Sequence, residues 1–117
     1  MTLPAEVLAL FAPEARARFV VQLARLLRAH FPDARELPRR ELLAGVEAQV
    51  ARAEALGLAA EAHAAQYVIA GWLLGERFDE EFPEAGRVLR SGLYPPAICA
   101  AWLEVWTRAV LLGLEEA

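Results

Sequence analysis

The sequence predicts an all-α fold, a compact bundle of about five to six helices forming a single domain over residues 1–117. Alanine, leucine, arginine and glutamate dominate the chain, and β-branched residues are few. Side chains of the first kind lose little rotamer freedom in a helix, so the composition favours helix throughout. No stretch alternates apolar and polar residues between hairpin turns, which removes the case for strands. The first helix is placed at about residues 4–11 and the second at about 13–30, because Pro4 and Pro13 each suit a first helical turn. In the longer of the two, Phe19, Leu23, Leu26, Leu27 and His30 form one stripe, with Arg16, Arg18, Arg25 and Arg28 mostly away from it. "HFPDARELP" then breaks the helix, since Pro32 and Pro38 each remove a backbone donor.

Pro38 opens a third helix, in which Leu42, Val46, Val50 and Ala53 recur at helical spacing and Gly57 supplies the stop. A fourth runs from about Ala59 to Gly75. After an acidic loop, Pro83 to Gly92 makes a short fifth helix. Pro95 and Pro96 open the last, which continues to about Leu114. Between Ala97 and Leu114 only Glu104, Thr107 and Arg108 are polar. Ile98, Trp102, Val105, Ala109 and Leu112 can fill one face, which leaves Leu103, Trp106, Val110 and Leu114 spread over others. A helix apolar nearly all round is central to its fold or shared with another molecule. Central burial plus a partner contact at an edge built from Trp102, Trp106, Val110 and Leu114 is therefore expected, with Trp102 and Trp106, one turn apart, first to test.

Charge narrows the function. The chain carries twelve arginines and no lysine against sixteen acids, a net charge of −4. Residues 1–58 hold eight arginines and seven acids, whereas residues 59–117 hold four and nine. Nucleic acid requires the opposite sign gathered on one face, so no nucleic-acid partner is expected. The start of the chain has no basic leader before its apolar residues, and no stretch is expected to reach the roughly 20 apolar residues that span a bilayer. A cytoplasmic protein without membrane insertion follows as the expectation. Cys99, the one cysteine, lies in the apolar run "AICAAWL" and reads as a buried, inert thiol.

Catalytic signatures are missing. Ser91 lies outside a nucleophile elbow, and there is no Walker loop, dinucleotide fingerprint or HExxH. His30 and His63 lack metal-ligand spacing; the first reads as a cation at a helix C-terminus and the second as a partly buried polar residue. No enzyme, cofactor or metal is expected.

"YVIAGWLLGERFDEEFP", residues 67–83, passes from nine uncharged residues into a run of acids. Its spacing does not match a calcium loop, and paired carboxylates for glycoside hydrolysis, though conceivable, would have to flank a groove with one acid in a setting that raises its pKa. Glu76, Asp79, Glu80, Glu81 and Glu84 read first as a solvated exit from the helix, and second as an acidic lip that orients an arginine-rich partner. Gly71 and Gly75 form a GxxxG spacing that would let a neighbouring helix approach closely.

"RF" at 18–19, "LRAHFP" at 27–32, "GVEAQVARAEALGL" at 45–58 and "AQYVIAGWLLGERFDEEFP" at 65–83 together resemble small helical proteins encoded beside type VI secretion effectors and spike components in Gram-negative bacteria. The resemblance covers most of the first ninety residues; "YPPAICAAWLEVW" lies outside it. It implies an accessory role without catalytic residues, in which Leu74, Gly75, Phe78 and Asp79 are structural, Phe78 covering the helix end and Asp79 capping the following turn. The expected function is a protein–protein interaction module, an adaptor or chaperone for such an effector. The alternatives are an immunity protein that blocks a toxin through its acidic loop, and a small-ligand-sensing bundle with its pocket between the Trp72 and Trp102 helices. The expected partner is an effector or toxin encoded nearby, or a second copy of the chain.

Overall fold

The computed structural model describes the backbone of residues 5–116 and the side chains of residues 14–114. Among the described residues the chain is all-α, with seven helices and no strand: α1 (Ala5–His30), α2 (Pro32–Glu36), α3 (Arg39–Ala55), α4 (Glu61–Leu74), α5 (Phe78–Glu81), α6 (Pro83–Arg90) and α7 (Pro96–Glu116). It divides into two compact units, Met1–Glu47 and Ala48–Ala117, so that α3 gives its first half to one and its second half to the other.

In the first unit, α1 is continuous where two helices are expected. A proline inside a helix removes one hydrogen bond and bends the axis, and this need not end the helix. The expected start at residue 4 lies outside the described residues. Phe19, Leu23 and Leu27 are buried as the stripe predicts, whereas Leu26 is exposed. Pro32 does not merely break α1. It occupies the first turn of α2, where a missing N–H is harmless, with Asp33 beside it near the positive end of the helix dipole. The C-terminus of α1 is held by this short helix: Arg35 donates from Nε to the Arg28 carbonyl (2.6 Å) and from Nη2 to that of Ala29 (3.3 Å), while Arg28 Nη2 donates to the Leu37 carbonyl (2.9 Å). Those carbonyls would otherwise lack intrahelical donors. Leu42 and Val46 bury the first half of α3, and Arg16 on α1 pairs with Glu47 at 3.1 Å.

In the second unit, α3 ends as expected at Gly57, which has φ +90°. Leu58 N–H bonds the Ala53 carbonyl (2.9 Å) and Gly57 N–H that of Glu54 (3.0 Å), a Schellman closure that buries Leu58. Within this unit α4 packs most extensively against α7, α5 lies against α6 and α4, and α6 touches α7. Tyr67, Phe78 and Leu103 are fully buried at the centre.

Candidate functional site

Among the described residues of the second unit Asp79 is the buried charge, with 2% of its surface exposed. Its Oδ1 accepts from Arg52 Nη2 (3.0 Å) and from the Tyr67 hydroxyl (3.1 Å), and its Oδ2 accepts from Arg90 Nη2. Arg52 Nε in turn donates to the Tyr67 oxygen (3.2 Å), and Arg90 Nη1 donates to the Asp79 carbonyl (3.0 Å). One carboxylate thus joins α3, α4, α5 and α6. Gly86 makes room for it: a Cβ there would lie 2.6 Å from both Arg90 Nη1 and the Asp79 carbonyl oxygen. The expectation that Asp79 sits on an acidic lip, or caps a turn, is corrected here. A carboxylate this deeply buried is stable only if paired and hydrogen-bonded, and two guanidiniums and a phenol supply that.

Burial, the largest influence on Tyr67, pushes its phenol above the ordinary value of 10.0; the Arg52 bond opposes this and the Asp79 charge adds to it. The folded state therefore holds the phenolic proton more tightly than the unfolded chain. The corresponding stability is complete below pH 10 and is lost as pH rises from there through the higher folded value. Urea midpoints measured across that range should fall more steeply for the native chain than for Tyr67→Phe.

The other acids divide. Glu76, Glu80, Glu81 and Glu84 are exposed. Glu80 is held by Arg52 (3.5 Å) and Arg77 (3.5 Å), so part of the expected lip is neutralised by its own neighbours. The segment expected as a loop is α5, whose one turn carries three acids close to its N-terminus. The two glycines before it do separate jobs. A Cβ on Gly71 would lie 3.2 Å from Gln49 Nε2, so this glycine admits a buried side chain that donates to the Glu76 carbonyl. Gly75 ends α4 with φ 119°, open to glycine without strain.

On α7 the buried side is Cys99, Ala100, Leu103 and Thr107. Trp102 is half-buried and stacks on Trp106 (centroids 5.2 Å apart, planes 12° apart). Trp106 continues inward to meet Phe82 edge-on (5.3 Å) and Phe78 (6.1 Å), so most of its ring belongs to an aromatic cluster. Val110 is half-buried and Leu114 exposed. The large apolar side chains left open on α7 are thus Leu114, of the expected edge, together with Ile98, Val105 and Leu112, all between 52% and 68% exposed. By length and composition Pro96–Leu114, 19 residues with mean hydropathy 1.5, is long and apolar enough to cross a membrane, which corrects the expectation that no stretch is.

Beside the start of α7 lies a cleft of about 480 Å³ lined by Trp102, Tyr94, Leu93, Val88, Arg87, Glu84 and Ser91. Leu93 is 78% exposed and Tyr94 49%. Trp72 is not among the lining residues, so this cleft is not the expected pocket between the two tryptophan helices. Leu93 and Tyr94 were missed as site residues because a loop of serine, glycine and proline reads only as a connection; two large apolar side chains inside "SGLYPP" were the available signal. Cys99 is buried, and burial raises its thiol pKa. Among the described residues no three His, Cys, Asp or Glu side chains gather as a metal-binding group. No family model, curated protein or solved structure matches the chain.

Proposed function

We propose that the chain is a non-enzymatic protein–protein interaction module, an adaptor or chaperone that seats an apolar segment of its partner in the cleft between α6 and the start of α7. The observation that carries this reading is the wall of Trp102, Tyr94 and Leu93, with two of the three held out to solvent beside a concavity. Tryptophan, tyrosine and arginine are the residue types that dominate binding energy at interfaces, and Arg87 and Glu84 give the cleft a polar rim. The resemblance to accessory proteins of type VI secretion loci supports an effector encoded nearby as the partner, met in the cytoplasm where it is made.

Co-expression with neighbouring gene products, followed by a pull-down, tests this. Leu93→Asp should weaken capture by at least about tenfold while leaving the fold intact, since the side chain is already in water. Capture of a neighbour's product that is indifferent to Leu93→Asp and Tyr94→Ala would remove the cleft from the function. The immunity reading draws on the exposed Glu81 and Glu84, which have no role in the Asp79 network. Reversing those two to arginine would then abolish toxin protection where Leu93→Asp does not. The cleft's volume also falls within the roughly 300–1,000 Å³ of small-molecule sites. A saturable change in tryptophan fluorescence with a small molecule, absent in Trp102→Phe, would favour the sensing reading.

A further inference from the structure

The open arc of α7 is separate from the cleft loop. At about 100° per residue, Ile98, Ala101, Val105, Ala109 and Leu112 fall within about 80° of one another. All five are exposed. Glu104 and Arg108 lie along one edge of this arc, paired at 3.5 Å and both exposed, while Trp102 and Trp106 lie along the other.

We propose that this arc is a self-association surface, covered by α7 of a second copy running antiparallel about a two-fold axis close to Val105. The arc reads alike in both directions. Counted outward from Val105, Ala101 mirrors Ala109 and Ile98 mirrors Leu112, so a reversed copy places small beside small and large beside large. An isologous contact requires such self-complementarity. The charges select the direction. In an antiparallel pair the edge bearing Glu104 and Arg108 meets the same edge reversed, which sets each Glu104 about 3 Å along the axis from both Arg108 and Glu104 of the other copy, two unlike contacts against one like contact. A parallel pair would set that edge against the tryptophan edge, leaving Glu104 and Arg108 only each other.

A bilayer is a poorer occupant, because Glu104 and Arg108 fall at mid-helix and the chain is net negative. One helix on one helix is a contact at the low end of specific interfaces, below about 1,200 Å² in total, so the association is weak and concentration-dependent.

Sedimentation equilibrium of the whole chain tests the proposal. The native chain is expected in a monomer–dimer equilibrium, with Val105→Asp raising its dissociation constant at least about tenfold. Glu104→Arg alone and Arg108→Glu alone should each be monomeric, because each sets like charges together. An equimolar mixture of those two variants should dimerise again. A native chain that stays monomeric to its solubility limit overturns the proposal, as does a dimer indifferent to Val105→Asp. Failure of the mixture to re-form a dimer overturns the antiparallel arrangement. Recovery of the native chain on neutral phosphatidylcholine vesicles, lost in Val105→Asp and without self-association, would assign the arc to lipid instead. None of these results bears on Leu93→Asp in the pull-down, so the cleft and the arc stand or fall apart.

Discussion

Replacing Asp79 with asparagine should lower the unfolding free energy by about 3 kcal/mol, the lower part of the range for breaking a buried ion pair by removing one partner. The substitution preserves volume and removes charge. Arg52 and Arg90 would then converge on a neutral amide, and one of the amide's own hydrogens would face a guanidinium donor. The full penalty is not expected, because the Arg52 and Arg90 side chains are 33% and 45% exposed and can recover water. Arg77→Ala is the control: its bond to Glu80 is exposed on both sides, and such pairs contribute under about 1 kcal/mol. Urea titration followed by circular dichroism would compare the two. Equal small losses would show that the four-helix junction does not depend on the carboxylate.

Phe78→Ala should be costlier still, about 4 kcal/mol. Phe78 has no exposed surface and lies between Tyr67, at 5.0 Å between ring centroids, and Trp106, at 6.1 Å. Its truncation leaves a void bounded by rings on two helices that are also fixed by other contacts, so collapse of the void is limited. α5 is a single turn, too short to be helical by itself, and is positioned by what its side chains bury. Phe78 and Asp79 are adjacent and share that task, so their losses should not add: the double variant should lose less than the two singles combined. Phe78→Leu, which keeps most of the volume, should lose less than half as much as the alanine. The same titrations read this directly, and tryptophan emission should shift to the red as Trp106 gains water.

How far these features were legible in the sequence differs by kind. Spacing located what depends on a helix's own pattern: Leu42, Val46, Val50 and Ala53 are buried as their period predicts, and Gly57 closes α3. The one-turn helices were not legible. α2 and α5 are shorter than any periodicity, and prolines and acids mark such stretches equally well as loops. Asp79 could not be told from the acids around it, because its partners stand at positions 52, 67 and 90 and only the fold gathers them. The open side of α7 failed for another reason. A helix apolar on every side carries no internal sign of which side meets the core, and that choice is made by α4, which packs against it. The one asymmetry available was the Glu104 and Arg108 edge, where solvent was to be expected.

The junction at Asp79 also bears on chain entropy. α4 and α7 pack together although the chain from Gly75 to Pro95 intervenes, so their meeting must close a loop and give up its freedom. Arg90 bound to Asp79 spans most of that loop from within and holds its two ends closer together. Loop-closure entropy grows with the logarithm of the free length. A contact that shortens the loop therefore lowers the entropic cost of pairing α4 with α7, so the carboxylate that secures the finished core also eases the closure that core requires.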